Sequence, residues 1–208
     1  MHHDSPTRPA DGPRVHIEGP RLRLRDWTNA DIERLPGLLD PDRPWHQTNG
    51  PYFGAPTEEQ TRAQVDRFAD LAGTPLAHLP VPRTMLAMEF EGRLIGVATW
   101  YWESKETDWR RMGVVIHDED YWGEGLGTEA MAVWTSYLFE TTDALRLDFA
   151  TYSGNPGMIA IGRTLGFVEE GRFRAARRWS GGVHDSVVMG LLREEWEQVR
   201  TGWPAVRA

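Results

Sequence analysis

The sequence contains no cysteine. That excludes disulfides, thiolate metal sites and a cysteine nucleophile, and it suits a reducing cytoplasm. No apolar run is long enough to span a bilayer. The opening residues, MHHDSPTRPADGP, lack the apolar core of a secretion signal and read as a polar, proline-rich arm over 1–13. His2 and His3 could collect a stray metal ion there, but a plain tail is the simpler explanation. Cations are in deficit: Lys and Arg total 23 against 31 Asp and Glu, a net charge of −8. A nucleic-acid partner is disfavoured, because such binding rests on neutralised phosphates. Acidity mildly favours a cationic small substrate, although it also serves solubility. No repeat and no linker divides the 208 residues, so a single domain over 14–200 is expected, followed by a tail over 201–208.

What is present is a clear order of elements. RLRLRD (Arg21 to Asp26) alternates as a strand does, and Thr28 caps a helix that Pro36 is expected to shorten or bend. Asp40 to Pro56 has loop composition. A helix follows, with Thr57 and Gln60 as its capping box and Gly73 as its stop. Two strands joined at Glu91-Gly92 make a hairpin, and a third strand spans Asp108 to His117. Then come a helix from Gly125 to about Phe139, a strand, a short helix ending at Gly166, a hairpin turning at Gly181-Gly182, and a last short helix. Met112 to Thr151 forms a βαβ unit, so its strands should be parallel. One α+β domain around a mixed sheet is the economical reading.

The most informative stretch is YWGEGLGTEA, residues 121–130. Gly123, Gly125 and Gly127 precede a strong helix. Bare backbone there lets several amides point at an anion, with the positive helix end behind them. A tight turn needing positive φ is the plainer alternative. A P-loop is excluded, because no Gly-Lys-Ser/Thr follows. The relaxed dinucleotide fingerprint is met by Gly125 to Ala130 with Asp148 beyond. Yet HDEDYWGE separates the strand from the first of those glycines, and hairpins precede it where alternating strands and helices belong.

VVIHDEDYWGEGLGTEAM, then LDFATYSGNPGMIAIGRTLGFVEEGRFR, then HDSVVMGLLREEW resembles the GNAT superfamily of acyl-CoA-dependent N-acetyltransferases, in the branch related to ribosomal-protein-alanine N-acetyltransferases. The resemblance covers roughly Arg21 to Trp196. It implies a three-layer α/β/α arrangement of the α+β class, with a mixed, mostly antiparallel sheet of about seven strands. It implies acetyl-CoA as co-substrate, with no metal. The diphosphate loop would run from Trp122 through Gly123, Glu124, Gly125, Leu126 and Gly127 to Thr128. Trp122 stands where the family has Arg or Gln, so contact should fall on backbone amides. The backbone of Val114, Val115 and Ile116 would face the pantetheine arm and the thioester carbonyl, where a fixed amide stabilises an oxyanion. Asn155 would hydrogen-bond the pantetheine, or else cap its helix with Pro156 behind it.

The catalytic groups are harder to place. Many family members carry a tyrosine acid where this chain has Gly162, and some carry a glutamate base where this chain has Arg110 and Arg111. Ser153, Tyr152, a water or direct thiolate release could replace the acid, and Ser153 also reads as a turn residue. Glu103, Asp185 and His117 are candidate bases that read equally as solvated or loop-positioning side chains. Trp100 and Trp102 share a strand face, as an aromatic wall for a cationic amine or as core. Trp45, Tyr52 and Phe53 lie in the long loop that the family places near the acceptor. RFRAARR (Arg172 to Arg178) approaches an RNA or a CoA phosphate, or is a charged edge that resists aggregation. The expected activity is acetyl transfer to a primary amine: a protein N-terminus, or a small amine such as a polyamine, an amino acid or an aminoglycoside. The alternatives are a non-catalytic acyl-CoA-binding domain and a nucleotide-dependent oxidoreductase. No nucleic acid and no membrane is expected as partner, and a homodimer is compatible with the family.

Overall fold

A computed structural model describes residues 16–203, except for the side chain of His16. The expected arm over 1–13 lies outside the described residues, as do residues 204–208 of the tail. In chain order the elements are β1 (His16–Glu18), β2 (Leu22–Arg25), α1 (Asn29–Leu38), α2 (Glu58–Gly73), β3 (Met85–Phe90), β4 (Arg93–Ser104), β5 (Trp109–Ile116), α3 (Leu126–Thr141), β6 (Arg146–Tyr152), α4 (Pro156–Thr164), β7 (Val168–Trp179), β8 (Gly182–Leu192) and α5 (Arg193–Val199). Among the described residues, no helix is long and apolar enough to cross a membrane.

The strands form one 8-stranded sheet in the order β1-β2-β3-β4-β5-β6-β8-β7. All neighbours are antiparallel except β5 and β6, the two strands of the expected βαβ unit. β1 raises the strand number above the expected seven. It adds only three residues at the edge, too few to show alternation.

Local chemistry explains the elements. Leu22 and Leu24 are fully buried, as alternation requires of a half-buried strand. Arg25 is buried too, and its guanidinium meets both Asp31 oxygens, at 2.6 and 2.9 Å. Asp31 also closes the capping box with Thr28 that starts α1. Pro36 does not end α1, because buried Leu35, Leu38 and Leu39 hold its last turn. Thr57 and Gln60 cap α2 reciprocally. Glu91 (φ 49°) and Gly92 (φ 75°) supply the two positive dihedrals of a type I′ hairpin turn. In the second hairpin those dihedrals fall on Ser180 and Gly181, at 48° and 74°, one residue earlier than expected, and Gly182 already belongs to β8.

Two apolar cores lie on opposite faces of the sheet. One packs α3 and α5 against Leu86, Met88, Met112, Leu147, Phe149 and Met189. The other packs α1 and α2 against Ala87, Leu94 and Val97. Trp203, expected in the tail, is half-buried against the first core.

Candidate active site

β5 and β6 pair only at Arg110↔Leu147 and Arg111↔Asp148. Beyond those residues the strands part, while β5 stays paired with β4 out to Ile116. The result is a wedge-shaped gap between Met112–Ile116 and Phe149–Tyr152. His117 N donates to Ile95 O at 2.8 Å. Successive residues in such a ladder turn their amides to opposite sides. The amide of Val115 therefore turns to β4, and those of Val114 and Ile116 turn into the gap. This corrects Val115 as a cofactor contact: its backbone pairs with Val97 and its side chain packs with the α1/α2 core. Val114 and Ile116 keep their main-chain edge on the gap, and their side chains pack on the α3 core.

The glycine loop closes one end of the gap. Gly123 (φ 82°) and Gly125 (φ 78°) are left-handed, which explains why glycine stands there. Gly125 is the N-cap of α3 and no side chain caps that helix, so its first-turn amides are open donors. A side chain at Gly127 would meet Ile161 Cδ1 of α4 at 3.1 Å, so loop and helix approach closely. Trp122 spends its indole N–H on the Ile116 carbonyl, at 3.0 Å. Glu124 turns its carbonyl outward to Arg21 Nη1, at 2.9 Å. Arg21 also donates through Nε to Glu129 Oε2, at 2.9 Å, on the first turn of α3. Arg21, in the turn leading into β2, thus braces the loop from behind and offsets the charge of Glu129. Donors without partners at a helix start fit a diphosphate. Asp148, the acid of the dinucleotide reading, is fully buried and taken by Trp109, Arg111 and Arg146.

The two faces of the gap differ. Leu147 and Phe149 belong to the α3 core, so Asp148, Ala150 and Tyr152 face the α1/α2 side. The loop between α1 and α2 reaches across to them. Tyr152 Oη donates to the Gln47 carbonyl at 2.7 Å, and Asn155 Nδ2 donates to the Thr48 carbonyl at 3.0 Å. Asn155 also caps α4, its Oδ1 accepting from Met158 N at 3.0 Å. Its helix-capping role is therefore present, and its amide group pins the loop.

Several aromatic expectations are corrected. Trp45 is buried, its indole donates to the Leu38 carbonyl at 2.8 Å, and its ring lies 4.6 Å from His117. It holds the loop's root as a buried core residue. Trp100 and Trp102 face the α3 core, not the α1/α2 side of Tyr52 and Phe53. Arg110 already covers them, its guanidinium 4.2 Å from the Trp102 centroid and 5.4 Å from that of Trp100. Beyond Val97 and Thr99, the residues of β4 on the α1/α2 side are Tyr101 and Glu103. Tyr52 and Phe53 lie on the α1/α2 side of the gap: Tyr52 stacks edge-on with Tyr152 at 5.6 Å, and Phe53 is 80% exposed.

The candidate acid and bases are mostly engaged. Glu103 pairs with Arg111 at 3.0 Å, at the closed end of the gap. Asp185 points to the opposite face from Tyr152. The Ala175 amide and the Arg172 guanidinium hold its carboxyl below the usual range, which suits an anchor better than a base. Ser153 clips β6 to β8, its Oγ accepting from Asp185 N at 3.0 Å. His117 is buried and pushed down to about 3 by desolvation and by the neighbouring His46. A side chain at Gly162 would meet Phe149 Cζ at 2.7 Å and Met189 Sδ at 2.9 Å, so this position faces the core and has no room for a tyrosine. Sequence reasoning passed over His184, which stands against Tyr152 at 5.4 Å. Its signal was the cross-strand register that sets His184 and Ser186 on the face of Tyr152. Sequence reasoning also passed over the role of Arg21.

Comparison with known proteins adds the following. Residues 21–168 match the family described as the Acetyltransferase (GNAT) domain. Over 79 residues the chain is 33% identical to YdaF of Bacillus subtilis (strain 168), which carries the name of a ribosomal N-acetyltransferase. The match takes in 38% of this chain and 43% of that one, so the chain spans under half of that curated relative. A RimL ribosomal L7/L12 alpha-N-protein acetyltransferase solved with coenzyme A superposes with a TM-score of 0.66 at 18% identity, over 86% of this chain and 98% of that one. Spermidine N-acetyltransferase from Vibrio cholerae, solved with CoA and spermine, gives 0.65 at 16% identity, over 85% and 98%. At such identities the two structures speak to the fold alone.

Proposed function

Because this chain belongs to the GNAT acetyltransferase family, we propose that it transfers an acetyl group from acetyl-CoA to a primary amine, a protein N-terminus before a small amine. The observation that carries this reading is the parting of β5 and β6 beyond Arg111, with the uncapped start of α3 at the end of the gap. The names of YdaF and RimL point to ribosomal acceptors and that of the Vibrio cholerae enzyme to spermidine, which supports an amine as the acceptor class.

Acetyl-CoA supplies an acyl group activated toward amines. The amides from Gly123 to Thr128 would hold its diphosphate, with the α3 end adding favourable potential. Val114 and Ile116 would align the pantetheine arm, and an N–H fixed in the gap would polarise the acyl oxygen without reorganising. The acceptor would enter from the α1/α2 face, past Tyr52 and Phe53. An amine is protonated near neutral pH and must lose a proton before it attacks. With Glu103 and Asp185 engaged by arginines, we assign that proton to His184, a side-chain type used often as a general base. The core-facing Gly162 provides no acid, and a thiol of ordinary pKa about 8.5 needs little help to depart. Most of the rate would then come from positioning.

A thiol-release assay with acetyl-CoA and a panel of amines, short peptides included, tests the proposal beside calorimetric titration with acetyl-CoA. Binding with release on at least one amine is expected. Absence of binding overturns the reading. Binding without release on any amine would mark a non-catalytic acyl-CoA-binding domain, the reading that the arginine-paired Glu103 and Asp185 favour.

A further inference from the structure

β7 carries Arg172, Arg174, Arg177 and Arg178, and they are not alike. Arg172 is paired with Glu169 at 2.7 Å and with Asp185 at 3.1 Å. Among the described residues, Arg177 forms no ion pair, and its Nε is buried without a hydrogen-bond partner. The register explains the difference. Arg177 stands opposite His184, Phe173 opposite Ser186, and Ser186 opposite Tyr152. Cross-strand partners share a face, so Arg177 looks onto the α1/α2 side, where the acceptor would enter. Arg172, opposite Val187, looks the other way.

The Arg177 guanidinium sits over the loop between α1 and α2, its Cζ 4.4 Å from the Tyr52 centroid and 5.9 Å from that of Phe53. Contact with a ring leaves the Nη donors of the guanidinium to form a fork that matches a carboxylate. Tyr52 leans on Tyr152 at 5.6 Å, so this cation stands two rings from the end of β6. Phe53 and Phe173, 80% and 63% exposed, flank it on the same face. The CoA diphosphate is not its partner, because the glycine loop and α3 lie on the opposite side of the gap.

We propose that Arg177 is a specificity residue that binds a carboxylate carried by the amine acceptor. The inference rests on the acetyltransferase reading and deepens it. It runs against the net charge of −8, which by itself would favour a cationic acceptor. Here the local, unpaired guanidinium decides. The carboxylate is either an acidic side chain near a peptide N-terminus or the α-carboxylate of a free amino acid, and both present the same group to the fork.

The test uses the full chain loaded with CoA. Calorimetry compares peptide amides bearing Asp or Asn after the free N-terminus, a free amino acid and its amide, and spermidine. The carboxylate member of one matched pair should bind about tenfold more tightly than its neutral partner, and which pair responds identifies the source. Arg177→Gln should erase that preference. Arg177→Glu should transfer it to a Lys-bearing peptide. CoA affinity, measured on each variant, should stay within twofold and shows that the fold is intact. Equal binding of carboxylate and neutral partners in both pairs, or a preference that survives Arg177→Gln, overturns the proposal. Because these are binding measurements, they stand whether or not the separate thiol-release assay detects transfer.

Discussion

Arg21 Nε meets Glu129 Oε2 at 2.9 Å across 108 positions of sequence, and the contact sets the charge of the glycine loop. Glu129 is a buried acid on the first turn of α3. It also accepts from the Arg21 and Leu22 amides, at 2.7 and 3.0 Å. An unpaired carboxylate there would oppose any anion at the loop. Arg21 neutralises it and, through the Glu124 carbonyl, turns the loop amides inward. Arg21→Met is therefore expected to weaken CoA binding about fivefold to tenfold, at a stability cost of about 1–2 kcal/mol. Adding Glu129→Gln should recover part of the affinity. Titration calorimetry on the two variants decides it: no recovery in the double variant would mean that the carboxylate charge is not what Arg21 offsets.

Gly162 yields a second prediction. Restoring the tyrosine that many relatives have there should not create an acid. The side chain would start 2.7 Å from Phe149 Cζ and 2.9 Å from Met189 Sδ, inside a close-packed core. Overpacking by one or two methylenes already costs about 1–3 kcal/mol, and an aromatic ring asks for far more. Gly162→Tyr is expected to lower the melting temperature by well over 10 °C or to abolish soluble expression. A stable, more active Gly162→Tyr protein would show that the helix can turn this position into the gap.

How legible all this was depends on whether local or distant residues decide a feature. The Glu91-Gly92 turn, the Thr57 cap and the glycine loop announce themselves through residues next to one another in sequence. Face assignment does not. Trp100 and Trp102 were seen to share a face, but nothing local said that the face was the core side. That follows from pairing Trp100 with Met112 across β4 and β5. Asp185 looked available until the bulge at Phe173–Arg177 brought the Ala175 amide onto it. Arg21 reads as one of three arginines in an alternating strand. Only the fold brings it to Glu124 and Glu129, and the one arginine of RFRAARR that lies over Tyr52 is likewise chosen by register.

The loop between α1 and α2 is held to Tyr152 and Asn155 by two hydrogen bonds, so the acceptor contact proposed for it should be separable from CoA binding. Tyr152→Phe keeps the ring against Tyr52 and removes the bond to Gln47. Asn155→Ala removes the bond to Thr48 together with the α4 cap, at about 1–2 kcal/mol of stability. Both are expected to raise KM for the acceptor about threefold to tenfold with little change in the Kd for CoA. For Tyr152→Phe, kcat should also be nearly constant, because its hydroxyl proton is committed to the Gln47 carbonyl. A large fall in kcat alone would instead make the phenol a proton donor in the reaction.

The last prediction concerns acid. His117 is buried between the end of β5 and Trp45, its Nδ1 has no hydrogen-bond partner among the described residues, and desolvation followed by His46 pushes its pKa from 6.5 down to about 3. The unfolded chain takes up a proton near pH 6.5, while the folded chain refuses it until near pH 3. Between those values the unfolded state binds more protons, so stability is fully present above the window and falls as pH drops through it. At pH 5, about 1.5 pH units into the window, this one imidazole should cost about 2 kcal/mol. Urea denaturation at pH 7 and pH 5 would measure the loss, and His117→Leu, which cannot titrate, should shrink it by that amount. His46, stacked on Trp45 at 3.7 Å, is the control: His46→Gln removes the neighbouring charge and should trim the loss only slightly, because burial dominates the shift. Equal losses in the parent chain and in His117→Leu would place the acid sensitivity elsewhere.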